Sequence, residues 1–258
     1  MLIHNAIIAL LVITVGVLVW QLLSQRARRK QRFVLGPWPV ARTALPDVHP
    51  AFAMTPLGPS LDTLASIIGN TGVFASTSDT EAWILAVLAK QSQRIFEFGT
   101  CSGKTTYVLG MNAPADAQII TITLAPEQLP DYHKTQSDDA AATAAAIKES
   151  RFREFYYSGT PVEKKVVQLF GDSKALDETP YLASSDLIFI DGSHAYSYVV
   201  SDTEKALRML KPGGMILWHD YKGPRVAAGV FQALNEYSSR MKLMHIAGTT
   251  LVAYRAPA

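Results

Sequence analysis

The stretch Arg94-Ile-Phe-Glu-Phe-Gly-Thr-Cys-Ser-Gly-Lys-Thr-Thr106 sets a strand, an acid, two glycines and a helix start in sequence. Arg94–Phe98 reads as a strand, with Glu97 at its end. Gly99 and Gly103 would let the backbone approach a ligand with no Cβ in the way. A phosphate-binding P-loop needs a glycine at position 98, which is Phe98. A dinucleotide fingerprint needs one at position 101, which is Cys101. A tight strand–helix turn with no ligand stays open at this point.

Outward from this loop, strand-type apolar runs alternate with helix-period segments. Ser78-Asp-Thr-Glu81 matches a capping box, with Trp83, Ile84, Val87 and Leu88 on the apolar face of the helix that follows. Before it, Ser60 is expected to cap a short helix with Leu61, Leu64, Ile67 and Ile68 turned inward. After the loop come a helix over Gly103–Met111, a strand over Gln118–Leu124, an alanine-rich helix over Asp138–Lys148 and a strand over Val166–Phe170. Asp186–Asp191 is a strand whose run Leu187–Ile190 is continuously apolar, as in parallel strands buried on both faces. Tyr196–Leu210 is helical and stops at Lys211-Pro-Gly-Gly214. Met215–Trp218 is a strand, Val226–Tyr237 a helix, and Lys242–Ile246 with Thr249–Tyr254 a final antiparallel pair, because their connection is too short for a parallel crossover. The alternation predicts a doubly wound, Rossmann-like α/β sheet of about seven strands. Ligands on such sheets bind at the carboxyl ends of the strands.

The N-terminus has another character. From Ala6 to Trp20 the one polar side chain is Thr14. As a helix, Leu2–Leu23 would be about 33 Å long, enough to cross a hydrocarbon core of about 30 Å. Nothing basic precedes it, as a cleaved signal peptide would require. Arg26, Arg28, Arg29, Lys30 and Arg32 follow it, which would place the rest of the chain in the cytoplasm and bring cations to lipid headgroups. Prolines 37, 39, 46, 50, 56 and 59 then interrupt regular structure. The expected organisation is a single-pass transmembrane anchor over residues 1–24, a basic and proline-rich linker over 25–59, and an α/β domain over 60–258.

Composition narrows the function classes. The chain has 258 residues, 48% of them hydrophobic, enough for a full core. A net charge of +2 offers no electrostatic case for nucleic acid. Cys101 is the single cysteine, so neither an intrachain disulfide nor a cysteine-built zinc site is possible.

Ser185-Asp-Leu-Ile-Phe-Ile-Asp-Gly-Ser-His-Ala-Tyr196, Asp202-Thr-Glu-Lys-Ala-Leu207 and Leu210-Lys-Pro-Gly-Gly-Met-Ile-Leu-Trp-His-Asp-Tyr221, with Phe170-Gly-Asp-Ser173, are more specific. Together with the acid-x-Gly-x-x-x-Gly loop of Glu97–Gly103, they closely resemble the class I S-adenosylmethionine-dependent methyltransferases. The branch they resemble includes macrocin-type sugar O-methyltransferases and cephalosporin-hydroxylase-like proteins. The resemblance runs from about residue 76 to 254. It implies that Glu97, Gly99, Thr100 and Gly103 contact the methionine end of the cofactor, and that Asp172 and Ser173 sit beside the adenine. Where the family commonly has a ribose-binding acid, this chain has Thr123, a departure that gives up a charge-assisted hydrogen bond; Glu127 is a candidate substitute. Asp191 resembles a divalent-metal ligand and His194 a general base, so both are candidate catalytic residues. His219 and Asp220 stand at the second metal-facing position, although magnesium prefers oxygen to a histidine nitrogen.

Alternatives stay open here. Ser193 could cap a helix that carries His194 as a solvent residue, and Asp191 could contact the cofactor rather than a metal. Lys104 reads as a solvated helix residue, and His4, His49, His133 and His245 as structural or exposed. Residues 136–160 are expected to help form the acceptor pocket. The implied activity is O-methylation of a small-molecule hydroxyl, on a sugar or secondary metabolite, with S-adenosylmethionine and a possible Mg2+. The rival expectation is a membrane-tethered binding or scaffold protein with this fold and a decayed cofactor site.

Overall fold

The computed structural model describes residues 2–29, 38–73, 77–136, 138 and 140–257; in helix α1 (Leu2–Arg29) it describes the side chains of residues 5 and 11–23. The chain divides into two units, Met1–Trp38 and Pro39–Ala258. In the first, the apolar side chains from Leu11 to Leu23 are exposed, Val12 at 67% and Trp20 at 66%. No helix among the described residues is long and apolar enough to cross a membrane. The first part of the expected span and the basic cluster lie outside the described side chains. The transmembrane reading therefore gains no support from the structure.

The second unit is built on one sheet. Its strands are β1 (Arg42–Thr43), β2 (Arg94–Phe98), β3 (Gln118–Thr123), β4 (Val166–Phe170), β5 (Ser185–Ile190), β6 (Leu210–Trp218), β7 (Met244–Ile246) and β8 (Val252–Arg255). Their order across the sheet is β1-β7-β8-β6-β5-β2-β3-β4, eight strands among the described residues. Strands β2 to β6 pair in parallel, and β8 runs antiparallel to both β6 and β7. The eighth strand comes from the stretch read as a linker. Arg42–Thr43 pairs in parallel with His245–Ile246, and Val48 and Phe52 are buried in the core. The compact unit begins at Pro39 rather than at residue 60. Of a semi-extended spacer and an irregular packing on the domain, the two courses open to this proline-rich stretch, residues 39–59 take the second, with Pro46 and Pro50 opening short packed turns.

The helices are α2 (Asp79–Ala89), α3 (Lys104–Asn112), α4 (Ala140–Glu149), α5 (Tyr196–Met209) and α6 (Ala228–Ser238). The capping box at Ser78 and Glu81 forms as read. On one side of the sheet Ile84, Leu85, Leu88 and Leu109 pack against Ile95, Ile119, Leu187 and Leu217. Ser60 caps only a single 3-10 turn over Leu61–Thr63, and Leu61 and Leu64 are 89% and 77% exposed, not turned inward.

Register decides where the site lies. Phe98 is level with Ile122 and with Ile190, and Ile190 with Trp218. The residues that follow each strand therefore emerge along one edge. Gly99 N donates to Ile122 O, Asp191 N to Phe98 O, and His219 N to Ile190 O, at 2.9, 2.9 and 3.0 Å. The strand order reverses between β2 and β5, and the crevice opens there.

Candidate functional site

The glycine loop is held by its neighbours as much as by its own conformation. Gly99 has φ +99°, and a Cβ on it would stand 2.2 Å from Asp191 O and 2.7 Å from Gly192 Cα. Backbone atoms of the β5 loop, rather than ligand space alone, require this glycine. Gly103, at φ +74°, faces Phe155 and Tyr157, and a Cβ on it would stand 2.7 Å from Phe155 Cβ.

Glu97 is fully buried beneath the loop. Its Oε2 accepts from Thr106 Oγ1 at 2.5 Å and Thr121 Oγ1 at 2.7 Å, and Oε1 has no hydrogen-bond partner among the described residues. Burial pushes its carboxyl up to about 8, against the pull of those two hydroxyls. Thr100 joins the same layer, 2.7 Å from Thr121 Oγ1 and taking a hydrogen bond from Gln168 Nε2. Glu97 and Thr100 hold the loop from below. Lys104, read as solvated, is buried.

Above the loop is a cavity of about 500 Å³, open solvent included, lined by Gly99, Thr123, Asp172, Ser173, Asp191, Gly192, Tyr132 and Asp202 among others. Thr123 stands at the end of β3, as read. Glu127, the candidate substitute for the missing acid, is 57% exposed, pairs with Arg153 and is not among the residues that line this cavity. Asp172 has both oxygens engaged. Oδ1 accepts from Lys174 N at 2.9 Å, and Oδ2 from Tyr198 OH at 2.9 Å and His133 N at 3.2 Å, with His133 Nδ1 2.7 Å away. His133, read as structural or exposed, thus straps the 132–138 segment to Asp172, and Tyr132 stacks on Tyr198 at 4.6 Å. Asp202 lies on α5, buried, with Oδ1 unpartnered; burial pushes its carboxyl up to about 7.

A second cavity, about 410 Å³ on the same measure, is lined by Cys101, Glu149, Asp191, His194, His219, Asp220 and Lys222. Cys101, Glu149 and Asp191 line both, so the two cavities meet there. His194 Nε2 is 3.0 Å from Asp220 Oδ2. It is partnered by Asp220, which opposes the reading of a solvent residue, and it does not pair with Asp191 three residues before it. Burial disfavours its charge, but the hydrogen bond to Asp220 and the Asp220, Asp191 and Glu149 carboxylates lift its pKa above 6.5. Burial brings Glu149 to about 7.

His219 stands between acids. Nδ1 is hydrogen-bonded to Asp191 Oδ1 at 2.9 Å and lies 3.0 Å from Asp220 Oδ1. Nε2 is 3.3 Å from Glu81 Oε2. Although burial opposes its charge, Asp191 and Asp220 raise its pKa well above the usual value. Lys222 Nζ adds a second cation against Asp220 Oδ1. Ligand atoms of Asp191, His219 and Asp220 all lie within 4.8 Å of one another. Two carboxylates and an imidazole with converging donors fit a divalent ion, with His219 and Lys222 supplying the balancing positive charge in the absence of one.

Sequence reasoning missed Glu81, Glu149, Lys222, Asp202 and the His133 strap. Glu81 carried a signal, but it was fully absorbed by the capping box. Glu149 lies in the 136–160 segment expected near the acceptor, which also brings Ala146 and Ser150 to the first cavity.

Residues 96–221 match the family model of a methyltransferase domain. That stretch contains both glycines of the loop, Thr123, Asp172, Asp191, His194, His219 and Asp220. Among solved structures, a protein from Corynebacterium glutamicum superposes with a TM-score of 0.50 at 13% identity, over 71% of this chain and 83% of its own. This similarity supports the fold. The O-methyltransferase TomG from Streptomyces achromogenes, involved in tomaymycin synthesis and solved with SAM, is 18% identical over 70% of this chain and 82% of its own, with a TM-score of 0.47. The SAH-bound methyltransferase PaMTH1 from Podospora anserina is 20% identical over 71% and 80%, with a TM-score of 0.48. No curated protein matches the chain. The methyltransferase-domain match accordingly covers β3 to β6, the end of β2 and every residue that lines the two cavities except Lys222.

Proposed function

We propose that the chain is an S-adenosylmethionine-dependent methyltransferase that methylates a hydroxyl oxygen of a small molecule, a sugar or a secondary metabolite. One observation carries this reading: within the methyltransferase-domain match, a cavity over the Gly99 loop meets a second cavity that holds the His194–Asp220 pair. The cofactor supplies a methyl sulfonium when bound. Gly99, Gly192 and Tyr132 line the cavity that would take it, and Thr123 and Ser173 would offer hydroxyls to its adenosine. His194 takes the acceptor's proton as the methyl group moves in line to oxygen, and Asp220 orients the ring and stabilises the imidazolium. Asp191, Asp220 and His219 would hold a divalent ion, which lowers the acceptor's pKa.

Calorimetric titration with S-adenosylmethionine, S-adenosylhomocysteine and ATP tests the reading. Micromolar binding of the first two and none of ATP is expected; no binding of either sulfur compound refutes it. The neutral Thr123 and the engaged Asp172 favour a second reading, a binding or scaffold protein with a decayed site. Cofactor binding that is weak, with no methyl transfer to any alcohol in a chemically diverse panel, would select it.

The sequence also leads us to propose a membrane tether, with the methyltransferase-like unit on the cytoplasmic side. Its support is the apolar run from Ala6 to Trp20 and the cations after it.

A further inference from the structure

The loop after β6 puts a histidine where an all-oxygen magnesium site would place another oxygen donor. What surrounds that histidine goes beyond a fortuitous cluster. Glu81 is 4% exposed and far away in sequence, yet all its contacts are made. Oε2 accepts from Ser78 N and Ser78 Oγ, at 2.9 and 2.8 Å, and Oε1 from Thr250 N and Thr250 Oγ1, at 2.7 and 2.8 Å. Four donors from two ends of the unit hold this carboxylate as a pure acceptor. The His219 Nε2 that faces it must therefore carry a hydrogen, and the ring cannot turn over. Nδ1 is left to face Asp191 and Asp220.

One Nδ1 hydrogen serves one carboxylate, and it goes to Asp191. Asp220 Oδ1, buried and 3.0 Å from the same nitrogen, gets no hydrogen from it and pairs with Lys222 Nζ instead. A metal ion can satisfy all three atoms at once, as a proton cannot. Cis donors at bond lengths of about 2.1 Å lie about 3.0 Å apart. The observed separations from Nδ1 are 2.9 and 3.0 Å. An imidazole whose other nitrogen donates to a fixed carboxylate is also the arrangement that orients metal-bound histidines. A nitrogen among the donors suits manganese or zinc better than magnesium.

We infer that Glu81 positions His219 so that it forms, with Asp191 and Asp220, a site for a borderline divalent ion such as Mn2+ or Zn2+ in preference to Mg2+. The inference rests on the reading of those three residues as ion ligands. Glu81 acts through His219 and touches neither ion nor substrate. Lys222, which holds Asp220 Oδ1 meanwhile, has a partly exposed, flexible side chain that can withdraw to solvent.

The test uses the purified full chain, Mn2+ followed by electron paramagnetic resonance, and Mg2+ as competitor. One Mn2+ should bind, with Mg2+ at least tenfold weaker. Spin-echo spectra should show a directly bound nitrogen that His219→Gln abolishes. Glu81→Gln keeps a capping side chain but removes the charge, and should weaken Mn2+ about 10- to 100-fold. S-adenosylhomocysteine titrated into each sample should bind all of them alike. Absence of Mn2+ binding, equal preference for Mg2+, or no nitrogen signal would overturn the inference, even if Glu81→Gln fails to fold. So would wild-type Mn2+ affinity in a folded Glu81→Gln chain. Mn2+ binding without S-adenosylhomocysteine binding would leave this site standing and refute the methyltransferase reading alone.

Discussion

Replacing Gly99 by alanine should destabilise the fold as well as the site. The residue sits at φ +99°, where an L side chain is strained by about 1–3 kcal/mol. Its Cβ would lie 2.2 Å from Asp191 O and 2.6 Å from Asp191 C. Those are backbone atoms of a strand end, held to Phe98 O by Asp191 N at 2.9 Å, so no side chain can swing away. Overpacking of this kind costs about 1–3 kcal/mol. A combined loss of about 4 kcal/mol corresponds to a fall in Tm of about 8–16 °C for a unit of this size. Because relief of the clash must push Asp191 outward, affinity for S-adenosylhomocysteine should fall too, even well below the new Tm. Gly103→Ala is the matched control. Its nearest obstacles are Phe155 Cβ at 2.7 Å, which moves only with its own loop backbone, and Tyr157 Cε1 at 3.0 Å, a ring atom that can turn aside. It should cost about half as much. Thermal unfolding followed by circular dichroism, with calorimetric titration at a temperature where both variants are folded, gives both readouts. A Gly99→Ala chain with the parent Tm and no cofactor binding would refute this reasoning and return the glycine to a purely ligand-facing role.

Glu97 ties stability to pH. Its folded pKa, about 8, is raised above the model-compound value of 4.5, so its contribution is complete below about pH 4.5 and is lost as pH rises through 8; Glu97→Gln should flatten the slope of Tm between about pH 5 and 8, and an unchanged slope would assign that proton elsewhere. Thr123→Asp restores an acid at the end of β3 and should tighten S-adenosylhomocysteine by about tenfold for 1.4 kcal/mol regained; no gain would mean that the ribose is held by other groups. His194→Ala should lower turnover on an identified alcohol by about two to four powers of ten while cofactor binding persists, and full activity would remove His194 as the base. The full chain should pellet with membranes and resist carbonate, whereas residues 39–258 should stay in the supernatant, a cut that follows the division at Trp38 and Pro39; full-length protein in the soluble fraction would end the tether reading.

Much of the sheet was legible from the chain alone because its signals are local. An apolar run such as Leu187–Ile190 can only be a strand buried on both faces, and Ser78 with Glu81 spells a helix start within four residues. The short connection between β7 and β8 likewise forces them antiparallel. The glycine loop and the strand-end residues Thr123, Asp191, His219 and Asp220 follow from the same local reading, since whatever succeeds a parallel strand emerges at its carboxyl edge. Partners across the chain could not be read this way. His219 meets Glu81 from 138 positions away and Thr250 meets it from 169, and neither spacing leaves a periodic trace. The bonds that join Glu97 and Thr100 to Thr121, from the neighbouring strand, were not legible either. Arg42–Thr43 looked like linker because a two-residue strand is invisible until His245 and Ile246 lie alongside to take its hydrogen bonds. The sequence by itself determined which residues reach the crevice edge, through alternation and chain connectivity. Only tertiary packing decided which of them face the cavity, which brace it, and which acid holds which histidine, because burial and pairing are properties of distance in space.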